Sequence, residues 1–146
     1  MRWLSISAIS LATMLGASGA LHAQTASQTI WSGVYTAAQA HRGRALYGPQ
    51  CGRCHGEMLE GVQDAQPLKG ASFLNLWEGQ SVGDLVQRTR NTMPVRTPGS
   101  LSAASATDIV AYLLQQNGAP PGNSELSSDP AVQAGVRITA FAPAAP

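Results

Sequence analysis

Cys51-Gly52-Arg53-Cys54-His55 holds both cysteines of the chain and ends on one of its three histidines. Two thiols three positions apart, followed at once by an imidazole, have the spacing at which a c-type haem is attached. Each thiol can form a thioether to one vinyl group, and the adjacent ring then reaches the iron. Three other readings share part of this pattern. A structural zinc site usually needs four protein ligands, and the chain has no second cysteine pair. A Cys-x-x-Cys redox pair belongs between a strand and a helix, and the flanking residues show no strand pattern. A plain disulfide between Cys51 and Cys54 would close so short a loop that it removes little entropy from the unfolded chain. The haem reading is favoured.

Working outward, Thr36-Ala37-Ala38-Gln39 has the form of a capping box, in which the Thr hydroxyl takes a backbone N–H and Gln39 reaches back. A helix is expected from there to about Tyr47, with Gly48-Pro49 breaking it ahead of Cys51. Gly43 costs such a helix about 1 kcal/mol relative to Ala, so its presence points to a close approach by another backbone. Downstream, residues 56–70 read as a loop, and a short helical turn is expected from Ala71 to Trp77. Ser81 caps a helix whose stripe is Val82, Leu85, Val86 and Thr89, ending near Asn91. Met93-Pro94 follows, and Pro94, Pro98 and Gly99 exclude a helix until Ser102. Ser102 opens the last helix, with Ala106, Ile109, Val110, Leu113 and Leu114 at helical spacing and Gly118 as its stop. Residues 119–146 show little periodicity and end in Pro and Ala, so they are expected to be a flexible tail. There is no confident strand and no repeat.

The ends and the composition set the context. Residues 1–23 read as a cleaved secretory signal: Arg2 supplies the positive start, Leu4 to Leu15 the apolar run, and Ser18-Gly19-Ala20 or Leu21-His22-Ala23 the small-residue cleavage site. Residues 24–34 form a polar spacer. Without Arg2 the mature chain carries eight basic and eight acidic residues, which lacks the clustered Lys and Arg of a nucleic-acid footprint. No other long apolar run exists, so no membrane span is expected in the mature chain. Only 5% of the residues are aromatic, so a buried cofactor would add much to the core of so small a chain.

The order of parts (helix, C-x-x-C-H, Pro-containing loop, helix, Met-Pro, long last helix) resembles the class I cytochrome c family of monohaem proteins, over residues 35–118. The resemblance implies an all-α fold wrapped around one covalently bound haem c. It implies His55 and a methionine as the two iron ligands, and Met93 stands in the family position, 38 residues after His55. Met58 lies too close to His55 along the chain to cross easily to the opposite haem face. Pro67 stands where the family's proline carbonyl accepts a hydrogen bond from the ligand imidazole, Leu68 would pack on the haem, and Trp77 would pack beside it. Gly43 and Tyr47 resemble the family's helix-crossing pair, with Tyr112 as the ring they meet. His41 reads as a surface residue, and Arg53 as lying near the exposed haem edge. Arg88, Arg90 and Arg96 flank Met93. The function implied is a monomeric, periplasmic one-electron carrier without substrate chemistry, since haem attachment in bacteria occurs outside the cytoplasmic membrane. Its expected partners are redox proteins, such as a quinoprotein-type dehydrogenase or an oxidase. The alternative is a haem enzyme or a gas or redox sensor in which Met93 is labile or absent from the iron.

Overall fold

Three hydroxyls start the three longest helices. Thr36 Oγ1 accepts from the Gln39 N–H at 3.1 Å, Ser81 Oγ from Asp84 at 3.1 Å and Ser102 Oγ from Ser105 at 3.0 Å, each satisfying a donor that the first turn leaves free. They belong to a computed structural model that describes residues 28–143. The expected signal, residues 1–23, and the first part of the spacer lie outside the described residues. The helices are α1 (Ala37–Tyr47), the single-turn α2 (Arg53–His55), α3 (Ala71–Trp77), α4 (Val82–Thr92), α5 (Ala103–Gln116) and α6 (Pro130–Ala134). Two short parallel strands, β1 (Gln28–Thr29) and β2 (Val136–Arg137), tie the two ends of the described chain together. The all-α expectation holds, with helices carrying the fold and the sheet reduced to a clasp.

The crossing of α1 and α5 organises the core. A Cβ at Gly43 would lie 1.8 Å from the Asp108 carbonyl oxygen and 3.0 Å from the Tyr112 Cβ, so the helices meet at a distance only Gly permits. One turn on, the Tyr47 and Tyr112 rings sit 5.4 Å apart and tilted by 57°, the geometry their quadrupoles favour. The fully buried side chains around them include Ala40, Ala106, Ile109, Val110 and Leu114. α4 packs on α5 through Val82, Leu85 and Val86, all buried, which is the stripe expected from the sequence.

Three sequence expectations are corrected. Gly48-Pro49 does not break the helical path: residues Gly48–Gly52 form one wide π turn that leads directly into α2. Pro49 sits in the first turn of that segment, where its missing N–H costs no internal bond. The capping box at Thr36 is half formed, because Gln39 turns inward instead of returning to Thr36. The third correction concerns the tail. Ala119, Leu126, Gln133, Val136 and Ile138 are all buried, so residues 119–138 pack on the helices as a strap. Both ends of the Gln39 amide bind Leu126, its Nε2 donating to the carbonyl at 3.0 Å and its Oε1 accepting the N–H at 2.7 Å. Gln133 Nε2 donates to Thr107 Oγ1 at 3.0 Å and to the Ser127 carbonyl at 2.7 Å. Among the described residues no buried side-chain N or O lacks a partner, and a good part of that accounting closes through the strap.

The strap ends against the α3–α4 turn. Ile138 donates its N–H to the Gln80 carbonyl at 2.9 Å and accepts from the Gly79 N–H at 2.9 Å. The Trp31 indole N–H reaches Thr139, and the Ala140 N–H donates to the Glu78 carboxylate. The turn that follows Trp77 is therefore held by the strap, which Trp31 braces in turn.

Candidate haem site

The π turn and α2 carry Cys51, Cys54 and His55 on one continuous helical path, so the two thiols lie one turn apart on the same side. Cys51 is half-buried and packs at the edge of the core, Cys54 is exposed, and His55 is half-buried. The turn is anchored at both ends. The Tyr47 hydroxyl donates to the Gly56 carbonyl at 2.7 Å, and burial first, then nearby Cys51, raises the pKa of that phenol. Beyond His55 the loop folds back so that the Val62 N–H donates to the Cys54 carbonyl at 3.0 Å and the Gly61 N–H to the His55 carbonyl at 2.9 Å. Those are carbonyls that a helix end leaves free.

His55 Nδ1 lies 2.9 Å from the carbonyl oxygen of Gln66. With Nδ1 carrying the proton and donating it, Nε2 is left as the donor atom for a metal, and the ring is fixed in tautomer and orientation. The acceptor expected from the sequence was the carbonyl of Pro67, and the structure moves it one residue earlier. Pro67 still bears on the bond, since a proline restricts the residue before it to extended conformations. Leu68 is pinned from both sides: its N–H donates to the Leu59 carbonyl at 2.9 Å, and its carbonyl accepts from Asn117 Nδ2 at 3.0 Å. Asn117 Oδ1 also takes the Gly70 N–H at 2.9 Å. Asn117 thus fastens the loop to the end of α5, a role that sequence reasoning missed. An amide side chain at a helix C-terminus, next to a Gly with φ 85, was the available signal.

Apolar side chains lie beside Gln66, the acceptor of the His55 bond. Pro67, Ser72, Phe73 and Leu76 line one hollow together with Gln66, the residue bonded to His55. Trp77 is half-buried with its ring centroid 6.4 Å from that of Phe73. Leu76 is 54% and Val62 44% exposed, high for aliphatic groups beside a core, and of the kind a flat apolar macrocycle would cover. Met93 is the C-cap of α4, half-buried, its N–H donating to the Thr89 carbonyl at 3.1 Å. His41 is exposed, as the sequence suggested, and Met58 is 65% exposed. A larger hollow is lined in part by Arg44, Tyr47, Arg53, Glu57 and Met58; neither hollow has a cysteine or His55 among its lining residues.

These residues suit a haem better than the rival chemistries. Burial pushes the Cys51 thiol up to about 11, with Cys54 adding to the shift, so near neutral pH it is protonated and a poor nucleophile. The thiols of redox pairs are shifted the opposite way. The motif follows a helix and a π turn, where a thioredoxin-like pair would follow a strand. Among the described residues no group of three or more His, Cys, Asp or Glu could hold a metal ion, which leaves zinc without a ligand set. One imidazole with a fixed tautomer, two thiols on one turn and an apolar hollow fit a covalently held haem.

The match to a family model agrees. The family model described as Cytochrome C oxidase, cbb3-type, subunit III matches residues 38–113, a span that contains Cys51, Cys54, His55 and Met93. Among solved structures the chain is similar to the sulfane dehydrogenase SoxCD from Paracoccus pantotrophus, at 21% identity and a TM-score of 0.44, covering 60% of this chain and 52% of that one. The chain thus spans about half the length of that structure. No curated protein matches.

Proposed function

This chain belongs to the cytochrome c family, and from that premise we propose that it is a periplasmic one-electron carrier whose iron is bound by His55 and Met93. Its cofactor is a covalently attached haem c, which supplies a metal centre that changes by a single electron between ferric and ferrous. Cys51 and Cys54 hold the group as thioethers. His55 presents Nε2, with Nδ1 tied to Gln66. The thioether of Met93 would be the second protein ligand, which would raise the reduction potential and leave no position for small ligands. Leu68, Trp77, Phe73 and Leu76 would pack against the group and exclude water from it. The role is electron transfer without substrate chemistry, between a dehydrogenase and a terminal acceptor or oxidase. Export follows from the signal pattern at residues 1–23. Among the described residues no helix is long and apolar enough to cross a membrane.

The observation that carries this reading is the one-turn array of Cys51, Cys54 and His55 with the imidazole fixed by the Gln66 carbonyl at 2.9 Å. The test is the intact mass of the exported protein after denaturation and acid-acetone extraction. The expected mass is the leaderless chain plus one haem, lost in the Cys51→Ala/Cys54→Ala variant. A mass equal to the bare chain would reject the reading.

A further inference from the structure

Arg53 stands on the helical path opposite Cys51, Cys54 and His55, and it lines the larger hollow, of about 460 Å³, a size that takes a small organic molecule. Two other lining residues are glycines that no backbone requirement explains. Gly48 has φ −48 and Gly52 φ −57, ordinary helical values at which Gly is a poor choice. A Cβ at Gly48 would meet nothing within 4 Å, and one at Gly52 only Tyr47, at 3.9 Å. Larger side chains would stand there without strain, and the space they would take up is the hollow. Its wall also holds an unpartnered polar group. Of the three tyrosines, Tyr35 and Tyr47 donate their hydroxyls to the Ala119 and Gly56 carbonyls. The Tyr112 hydroxyl bonds to no described residue, although the residue is only 5% exposed. Among the described residues no side-chain oxygen sealed from solvent lacks a partner, so that hydroxyl is open, and Tyr112 lines the hollow.

The charges around the hollow say what would enter it. Arg44, on α1, and Arg53 are exposed, and neither is in an ion pair with a described residue, the salt bridges there being those of Arg42. Glu57 is the one acid among the lining residues. Two guanidiniums against one carboxylate leave a single net positive charge, which suits a monoanion and disfavours a second negative charge beside Glu57. A guanidinium fork matches a carboxylate in plane and spacing. The apolar part of the wall is the Tyr47 and Tyr112 rings and the Met58 thioether, groups that pack well on flat rings. We infer that this hollow binds a small aromatic monocarboxylate. Its carboxylate lies on Arg44 and Arg53, its ring lies against Met58, and the Tyr112 hydroxyl is a further donor from within. Gly48 and Gly52 leave the room for it.

The site does not depend on the carrier reading, and it is tested by calorimetric titration of the holoprotein with benzoate at low salt. One site with a Kd of about 1 mM or tighter is expected. Arg44→Gln/Arg53→Gln should weaken binding at least about tenfold, and Tyr112→Phe, which keeps the ring, at least about threefold. Gly48→Leu fills the hollow from a helical position, so it should abolish binding without lowering Tm. Arg88→Gln/Arg90→Gln removes the same charge from α4 and should bind within about twofold of wild type. Equal weakening in the two double variants, unaltered binding by Gly48→Leu, or no heat of binding at about 10 mM benzoate would overturn the site. Inorganic phosphate binding as tightly as benzoate would overturn the aromatic ligand and leave a simple anion site.

Discussion

His55 Nδ1 and the Gln66 carbonyl oxygen stand 2.9 Å apart, and Pro67 acts on this bond only by restraining the residue before it. Pro67→Ala should therefore keep the bond but loosen it. A weaker acceptor makes the imidazole a poorer donor to iron, so the reduction potential should rise modestly while the haem stays attached. Potentiometric titration of the two proteins checks this. A large fall in potential would mean that Pro67 holds the ligand in some other way.

Cutting the chain after Gly118 should be costly. It removes Leu126, Val136 and Ile138 from the core and leaves Gln39 and Thr107 without the partners they have inside. Buried aliphatic groups contribute about 1.5–3 kcal/mol each, and a buried polar group left unpaired costs about 1–3 kcal/mol. A loss above about 3 kcal/mol is expected, lowering Tm by about 12 °C or more. Leu126→Ala alone should cost about 2–5 kcal/mol. Thermal unfolding followed by circular dichroism measures both, and an unchanged Tm would return the tail to the flexible state its composition suggests.

The strap was hard to see in the sequence for a physical reason. Leu126 stands ten residues from the next of its buried aliphatics, and Val136 and Ile138 alternate with exposed Arg137 over a single strand repeat, too short a run to be told from a loop. Gln39 fitted a capping pattern, and its partner lies 87 residues away along the chain, beyond any local rule. By contrast Ser81, Ser102 and the α4 and α5 stripes were legible, since caps and stripes act within one or two turns. Gly43, Tyr47 and Tyr112 were legible for another reason: a Gly in the middle of a helix is a cost that demands a neighbour. The cysteines and His55 announced themselves by spacing, whereas Gln66 and Asn117 contribute through a backbone carbonyl and a single amide that no motif encodes.

Gly43→Ala should force α1 and α5 apart. Its new methyl carbon would fall 1.8 Å from the Asp108 carbonyl oxygen, which is backbone and cannot rotate away. The expected loss is at least about 2 kcal/mol, measured by denaturant unfolding, with the Tyr47 and Tyr112 contact disturbed. A loss below about 0.5 kcal/mol would show that the crossing is looser than described.

Ser81 and Asp84 give a pH signature. Two bonds from Ser81, through its hydroxyl and its backbone N–H, hold the Asp84 carboxyl below the usual range. A depressed folded-state pKa stabilises above the unfolded value, about 3.9, and that contribution is lost as pH falls through the lower folded value. Ser81→Ala should cost about 1 kcal/mol near pH 7, with the gap to wild type narrowing below about pH 4. Urea unfolding at pH 7 and pH 3 measures it, and a gap independent of pH would exclude the carboxylate as its source.

Whether Met93 would hold the iron together with His55 is read from the visible and near-infrared spectrum of the ferric protein. A low-spin spectrum is expected, with the weak red charge-transfer band of methionine ligation and poor binding of carbon monoxide by the ferrous form. Met93→Ala should abolish that band, lower the potential and admit carbon monoxide, while Met58→Ala and His41→Ala leave the spectrum unchanged. A wild-type protein that is already high-spin and takes up carbon monoxide readily would contradict the carrier and favour a catalytic or sensing haem.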